Sequence, residues 1–287
     1  MKIKTHIINA FVDGKTGGNP AGVVLDADDL PGEQKLEIAS KIGLSETAFV
    51  SSAEVADFKL EFFTPTKQIA HCGHATIATF VYLRELGRVT KSRTSKETID
   101  GKREIFFDGG MAFMEQMPPK YSNVKKEENE ILSSLALSSS DLMNGFSPVI
   151  VNTGNAFLIV PLKNENAVAL VKPDFEAITK LSEKYDLIGY YVFSGDAKDQ
   201  ARDAGTRMFA PRYGINEESA TGMAAGPLAC YLYDQMGINK DVFLIEQGHF
   251  MKPSSPSTIT VKLNLEDGKI TGLMAGGKAN VMKSIVI

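Results

Sequence analysis

The sequence predicts an α+β fold of two pseudo-symmetric domains, each a curled, mostly antiparallel sheet or barrel around a central apolar helix. Two apolar helices begin at Cys72-Gly73-His74-Ala75-Thr76 and, about 150 residues later, at Ala220-Thr221-Gly222-Met223-Ala224. Apolar residues fall on every face of both helices, so each helix is expected inside its own core. The same order of strands and helices precedes each of them.

The first half of the chain leads to its apolar helix through short strands and one amphipathic helix. The predicted elements are strands over residues 3–12, 21–25, 47–51 and 58–63 and a helix between Pro31 and Gly43. A glycine-rich turn that ends in Asn19-Pro20 separates the first two strands, as is typical of a hairpin. Proline at the start and glycine at the end are common helix boundaries.

The second half repeats this order. Its predicted elements are strands over residues 149–151, 156–162, 189–193 and 206–209 and a helix from Pro173 to about Tyr185. Phe63-Thr64-Pro65 and Phe209-Ala210-Pro211 occupy corresponding places before the two apolar helices. Each half then ends in hairpin-like strands, around Asp108-Gly109-Gly110 and around Asp267-Gly268.

The domain boundaries follow from this repeat. We expect an N-terminal domain over residues 1–118, to which the C-terminal strand 279–287 returns, and a C-terminal domain over residues 119–278. The polar stretch 118–130 is the expected linker. In this arrangement the two helix starts can face one cleft between the domains.

Composition excludes several classes of function. The chain has 287 residues and a net charge of −4 without a clustered basic face, which argues against a nucleic-acid partner. No apolar run approaches the length of a membrane span, and the first residues do not resemble a signal peptide. Two cysteines form no disulfide framework, so a cytoplasmic setting is expected.

The helix starts and one acidic residue are the candidate reactive groups. A buried helix start leaves backbone N–H groups without intrahelical partners, and small residues let an anion approach them. His74 lies in the first turn, where it can donate to a substrate oxygen or transfer a proton. Glu46 lies between a helix and a strand, and its counterpart in the second half, near residue 189, carries no acid.

Thiol and metal chemistry are weaker interpretations. Cys72 has no matching cysteine at the second helix start, because Cys230 lies eight residues beyond Gly222. That separation corresponds to about 12 Å along a helix. His71, Cys72 and His74 are too close in sequence to converge readily on one ion, and no second cluster accompanies them, so no metal is expected. Of Glu217 and Glu218, at least one simply stabilises the helix start.

Short motifs in a fixed order carry a family resemblance over about 270 residues. They are Phe11-Val12-Asp13, Gly18-Asn19-Pro20-Ala21, Leu44-Ser45-Glu46-Thr47-Ala48-Phe49, Phe63-Thr64-Pro65, Cys72-Gly73-His74-Ala75-Thr76, Phe209-Ala210-Pro211, Gly214-Ile215-Asn216-Glu217, Ala220-Thr221-Gly222, Gln247-Gly248 and Gly276-Gly277. With these motifs in this order, the chain resembles the PhzF-type phenazine-biosynthesis isomerase family, which has the diaminopimelate-epimerase-like fold.

The resemblance implies an enzyme without cofactor that forms homodimers and acts on a small carboxylate in a central cleft. It implies that Glu46 is the acid/base, which in the characterised enzyme takes a proton from one ring carbon of a dihydro-3-hydroxyanthranilate and returns it to another on the same face. His74 and Glu218 would assist. The residues expected to bind substrate are Asn19, Cys72, Gly73, Thr221, Gly222 and Met223.

The chain departs from the family pattern at one place. Where Asp-Pro-Ala-Thr-Gly-Ser is usual, it has Glu218-Ser219-Ala220-Thr221-Gly222-Met223. A thioether at Met223 in place of a hydroxyl favours a more apolar part of the substrate, so the phenazine precursor itself is not the expected substrate. Two alternatives stay open: an epimerase or racemase that uses Glu46 with Glu218 or Cys72 as opposed bases, and a non-catalytic protein that binds small molecules.

Overall fold

A computed structural model describes residues 2–287, and the chain divides into two compact units. Unit 1 consists of Met1–Glu115 and Gly276–Ile287, and unit 2 consists of Gln116–Ala275. Both units combine a mixed sheet with few helices, so the predicted α+β class is confirmed. Within residues 2–287, none of the helices has the length and apolar character that a membrane span requires.

Unit 1 contains nine strands and two helices. They are β1 (Lys4–Ala10), β2 (Asn19–Val24), α1 (Gly32–Ile42), β3 (Thr47–Ser51), β4 (Phe58–Phe63), β5 (Gln68–Ile69), α2 (Gly73–Glu85), β6 (Arg93–Thr98), β7 (Gly101–Asp108), β8 (Met111–Gln116) and, at the end of the chain, β18 (Ala279–Val286). The strands pair in the order β18-β1-β2-β3-β4-β6-β7-β8. The pairs β2–β3 and β4–β6 are parallel, and the others are antiparallel.

Unit 2 contains four helices and the remaining strands. They are β9 (Lys120–Asn123), α3 (Glu128–Ser134), β10 (Val149–Asn152), β11 (Ala156–Pro161), α4 (Glu165–Leu170), α5 (Phe175–Lys184), β12 (Gly189–Ser194), β13 (Ala204–Ala210), β14 (Ile215–Glu218), α6 (Gly222–Asp234), β15 (Val242–Gln247), β16 (Ser257–Glu266) and β17 (Lys269–Gly277). The strands pair in the order β9-β10-β11-β12-β13-β15-β16, and β11–β12 and β13–β15 are parallel.

The two units therefore share one sequence of pairings. In each, an antiparallel pair is followed by a parallel pair, an antiparallel pair, a second parallel pair and a final antiparallel pair. A parallel pair needs a crossover connection, and the apolar helices α2 and α6 each lie in the second crossover of their unit. The repeat predicted from the sequence is confirmed in the strand pairing.

Both apolar helices are enclosed, as predicted. Nine of the 13 residues of α2 and ten of the 13 residues of α6 are buried. The helix α2 packs against β1, β2, β3 and β18, and α6 packs against β10, β11 and β16. The amphipathic helix α1 buries Ile38 and Ala39 in a separate cluster with Phe49 and Phe63. Each central helix is thus held by apolar contacts on several sides, which fixes the position of its first turn.

The polar stretch Pro118–Glu130 does not form the expected linker. It contains β9, which pairs with β10, a short 3₁₀ helix over Lys125–Glu127, and the start of α3. The side chains of β9 are mostly exposed. An exposed strand needs backbone pairing but no apolar side chains, so its polar composition does not distinguish it from a loop.

The core of unit 1 contains a lysine with no exposed surface. Lys96 on β6 has no exposed surface, and its Nζ lies 2.7 Å from Thr76 Oγ1, 3.4 Å from His71 Nδ1 and 5.1 Å from the centre of the Phe62 ring. Burial lowers the pKa of Lys96 from 10.5 to about 7, because the charged form loses its hydration. Among residues 2–287 no carboxylate lies within 4.0 Å of its ammonium group.

Lys96 is expected to make the stability of the protein depend on pH. The folded pKa lies below the unfolded value, so the unfolded chain binds more protons between about pH 7 and pH 10, and the folded state is favoured as the pH rises. The unfolding free energy of the natural protein relative to Lys96→Met should increase by about 2 kcal/mol from pH 7 to pH 9. Urea denaturation at both pH values measures this difference, and an unchanged difference would contradict the assignment.

Gly189 at the start of β12 is expected to tolerate no side chain. A Cβ atom there would lie 2.2 Å from the carbonyl oxygen of Phe209 on the paired strand β13. Gly189→Ala should therefore destabilise the protein by about 3 kcal/mol, because strand β12 must move to relieve the overlap. Gly195→Ala is the matched control, since a Cβ at Gly195 meets no atom within 4 Å. Equal unfolding free energies for the two variants would refute this account.

Candidate active site

Glu46 lies where unit 1 turns from α1 into β3. The helix ends at Gly43, whose φ of 67° suits glycine, and the chain enters β3 one residue after Glu46. The carbonyl of Glu46 accepts a hydrogen bond of 3.0 Å from the Gly22 amide on β2. The backbone of Glu46 is therefore fixed by the sheet, and its side chain is buried.

The start of α2 supplies the other buried polar groups. Cys72 is the N-cap residue, and no side chain caps the helix there. The Thr76 hydroxyl donates a hydrogen bond of 2.6 Å to the Cys72 carbonyl. Gly73, between Cys72 and His74, has no side chain to block the backbone N–H groups of the first turn, which lack carbonyl partners within the helix. The start of α2 therefore has the backbone features of a helix start that can bind an anion.

The structure brings Glu46, Cys72 and His74 together. Glu46 Oε2 lies 3.3 Å from His74 Nε2, and Cys72 Sγ lies 3.6 Å from His74 Nδ1. All three side chains are buried. The sequence interval of 26 residues between Glu46 and Cys72 is bridged by the packing of α2 against β2 and β3.

Burial determines the protonation state of the thiol in this cluster. Burial raises the pKa of the Cys72 thiol, because the thiolate would lose its hydration. A protonated thiol can donate to His74 Nδ1, and in that tautomer the imidazole proton lies on Nε2, facing the Glu46 carboxylate. Among residues 2–287, Glu46 Oε2 is a buried oxygen without a hydrogen-bond partner of good geometry. This oxygen is suited to receive a proton from a substrate.

The same three residues could be considered as metal ligands. Their donor atoms lie within 4.8 Å of one another. However, a thiol binds metal as the thiolate, and burial raises the pKa of Cys72. The donor chemistry therefore fits proton transfer better than metal binding.

In unit 2, the start of α6 holds Glu218 and Thr221. The Thr221 hydroxyl donates a hydrogen bond of 2.5 Å to Glu218 Oε2, and its amide donates to Gln247 Oε1 at 3.1 Å. Gln247 Nε2 in turn donates to the Glu218 carbonyl at 2.7 Å. Glu217 instead forms two hydrogen bonds to Arg207, of 2.8 and 2.9 Å. Glu217 is therefore held in an ion pair, whereas Glu218 is the carboxylate that is hydrogen-bonded at this helix start.

Met223 lies in the first turn of α6, immediately after Gly222. Its sulfur is 3.5 Å from Asn155 Nδ2. A thioether accepts hydrogen bonds only weakly and cannot transfer a proton. Met223 can therefore pack against a ligand but cannot act as an acid or a base.

Strand register shows which residues correspond in the two units. Thr47 pairs with Phe63, and Tyr190 pairs with Phe209, so the residue that corresponds to Glu46 is Gly189. By the same alignment, Asn19 corresponds to Asn155, Cys72 to Thr221 and His74 to Met223. Asn19 is buried at the start of β2. Unit 2 thus lacks both members of the Glu46–His74 pair at the corresponding positions.

Three residues near the helix starts were not among the predicted site residues. Asn155 contacts Met223, Gln247 holds the start of α6, and Lys96 contacts Thr76 in α2. Asn155 could have been found as the repeat of Asn19, and Gln247 from its place in the Gln247-Gly248 motif. No pattern in the strand around Lys96 distinguishes a buried lysine from an exposed one.

Comparison with known proteins gives consistent results. Residues 8–284 match the PhzC-PhzF family model, described as phenazine biosynthesis-like protein. An uncharacterized isomerase of Clostridium acetobutylicum is 34% identical, over 80% of this chain and 79% of that protein. The trans-2,3-dihydro-3-hydroxyanthranilate isomerase of Pseudomonas fluorescens is 30% identical, over 86% of this chain and 87% of that protein.

A solved structure agrees with these relatives. The PhzF-family phenazine biosynthesis protein of Bacillus anthracis is 28% identical and superposes with a TM-score of 0.90, over 100% of this chain and 99% of that one. The family match spans nearly the whole chain, and both relatives are named isomerases. The chain is thus an isomerase that belongs to the PhzC-PhzF family of phenazine biosynthesis-like proteins.

Proposed function

We propose that the protein is a cofactor-independent isomerase that moves a proton between two carbons of a small carboxylate-bearing metabolite, with Glu46 as the acid/base. The observation that supports this most directly is the buried contact of 3.3 Å between Glu46 Oε2 and His74 Nε2. A buried acidic side chain next to an imidazole is a typical arrangement for general acid/base catalysis. Unit 2 has Gly189 and Met223 at the corresponding positions. The absence of a carboxylate–imidazole pair there favours a mechanism with one base rather than two.

In the proposed reaction, Glu46 removes a proton from one carbon of the substrate and returns it to another carbon on the same face. When Glu46 becomes protonated, its carboxyl group no longer carries the negative charge that attracts the facing His74 Nε2 proton. That N–H can then donate to the substrate oxygen on which negative charge develops. Stabilising this charge with a preorganised donor lowers the barrier to proton removal.

The start of α2 is the proposed carboxylate-binding element. Its backbone N–H groups, at Gly73 and its neighbours, and the positive end of the helix dipole favour a negatively charged group. We propose that Asn19 and Cys72 also contact the substrate. From unit 2, Thr221 and Gly222 would bind substrate and Glu218 would assist proton transfer. A cytoplasmic homodimer, implied by the family resemblance, is part of the same proposal.

Met223 is the proposed determinant of substrate choice. Its thioether replaces a hydroxyl that is usual in the family, and it lies against Asn155. An apolar, polarizable side chain there favours a substrate with an apolar group at this position. We therefore propose a substrate other than the trans-2,3-dihydro-3-hydroxyanthranilate named for the P. fluorescens relative.

Glu46→Gln should abolish most of the turnover and retain binding. The amide preserves the shape of the side chain but cannot accept the substrate proton, so kcat should fall by about 10²- to 10⁴-fold with a similar ligand affinity. Substrates are sought by proton NMR among small cyclic and acyclic carboxylic acids, with trans-2,3-dihydro-3-hydroxyanthranilate included. Kinetics and calorimetry on the best of these compounds then give kcat and the affinity.

Two control variants separate this mechanism from its alternatives. Glu85→Gln removes an exposed carboxylate from the far end of α2, and it should leave turnover unchanged. Cys72→Ser keeps a donor beside His74 Nδ1, and it should lower kcat by less than about tenfold, because the thiol is not the base. Full turnover by Glu46→Gln would refute the proposal. Loss of turnover in Cys72→Ser alone would instead support a thiol mechanism.

A further inference from the structure

We propose that Lys96 is a positioning residue that fixes the start of α2 in front of Glu46. The inference rests on the proposed roles of Glu46 and His74. Lys96 enters from β6, the strand that follows α2 and runs parallel to β4. Its amine contacts the chain on both sides of the Cys72-Gly73-His74 segment, at His71 before it and at Thr76 after it.

The hydrogen-bond directions around Lys96 are consistent with this role. The Thr76 hydroxyl donates its proton to the Cys72 carbonyl at 2.6 Å, so its oxygen accepts from Lys96 Nζ at 2.7 Å. Burial and the nearby charges of Lys96 and Arg103 lower the pKa of His71 to about 3. Its ring is therefore neutral, and Nδ1 can accept from Lys96 Nζ at 3.4 Å. The chain of bonds runs from Lys96 through Thr76 to Cys72.

A lysine at this position is unfavourable for stability alone. Its side chain has no exposed surface, and within the described part of the chain no carboxylate lies within 4.0 Å of its Nζ. A buried charge without a partner of opposite sign destabilises the folded state, and an apolar residue of similar size avoids that loss. A residue that is unfavourable for folding and contacts a catalytic segment on both sides is best explained by function.

Unit 2 shows how a neutral group can hold the corresponding helix start. The start of α6 is held by Gln247, a neutral amide that accepts from the Thr221 amide and donates to the Glu218 carbonyl. Gln247 lies on β15, the strand that follows α6 and runs parallel to β13. A neutral amide is thus sufficient to hold a helix start in this fold. The charged group occurs in the unit that contains the Glu46–His74 pair.

The charge of Lys96 is expected to act on this pair. The titratable and charged groups that face its amine are His71 and Cys72 at the start of α2, Arg103 on β7, and Asp100 between β6 and β7. Because the pKa of Lys96 is about 7, its ammonium group loses its proton as the pH rises through neutrality. This loss should change the electrostatic environment of His74. The change should be visible as a step near pH 7 in the chemical shift of the His74 ring signal.

Histidine NMR tests the proposal without a substrate. The chain has four histidines, so the ring signals of His71 and His74 can be resolved and assigned. In the natural protein both signals should show a step near pH 7, and Lys96→Met should remove the step and shift the His74 signal. Lys102→Met is the matched control, because Lys102 is an exposed residue of the adjacent strand β7, and it should retain the step.

Two variants of Thr76 provide a second test that keeps Lys96 in place. Thr76→Val removes the hydroxyl that links Lys96 to the Cys72 carbonyl, and it should shift the His74 signal. Thr76→Ser keeps the hydroxyl and should restore the natural signal. Their result decides the proposal if Lys96→Met fails to fold. An unchanged His74 signal in Lys96→Met, or in Thr76→Val, would overturn the positioning role.

Kinetics distinguish positioning from general support of the fold. On the substrate found for the natural protein, Lys96→Met should lower kcat by about 10- to 100-fold, because a misplaced acid/base pair loses reactivity. KM should change by less than about threefold, and stability at pH 6 should not decrease. Loss of kcat together with loss of stability would indicate a structural role only. If Glu46→Gln keeps full turnover, the proposed function fails, whereas the NMR result on Lys96 stands independently.

Discussion

The buried contact between the Glu46 carboxylate and the His74 imidazole is the constraint on which the proposed function of this protein depends. The contact joins a residue between α1 and β3 to the first turn of α2. Its geometry requires that α2 be enclosed by the sheet of unit 1, because only packing on several sides fixes the depth and rotation of a helix. The apolar sequence of α2 is therefore a condition of the chemistry as well as of stability.

The two units share one pattern of strand pairing but carry different residues at the corresponding site positions. The pattern needs an apolar helix in the second crossover, and both α2 and α6 meet this requirement. It does not need a carboxylate or an imidazole, and the positions of Glu46 and His74 are occupied by Gly189 and Met223 in unit 2. The fold thus follows from the repeat, and the proposed acid/base chemistry follows from the residues that differ between its copies.

Sequence reasoning predicted the repeat, because glycine, proline and apolar periodicity act locally, whereas the roles expected of Glu46 and His74 came from the resemblance to a known family. It did not predict the strand β9, because an exposed strand has the composition of a loop. It did not find Lys96 either, since burial of a lysine depends on which strand passes behind α2. The contact of Asn155 with Met223 likewise depends on strand register, which no short motif specifies.

The central claim is that a single base serves both carbons of the substrate, and an isotope experiment tests it directly. A substrate deuterated at the carbon that loses its proton is converted in ordinary water, and the product is examined by NMR. A single base in a buried site should return part of the deuterium to a different carbon of the same molecule. A product without deuterium, formed by inversion at the labelled carbon, would contradict this account and indicate two opposed bases.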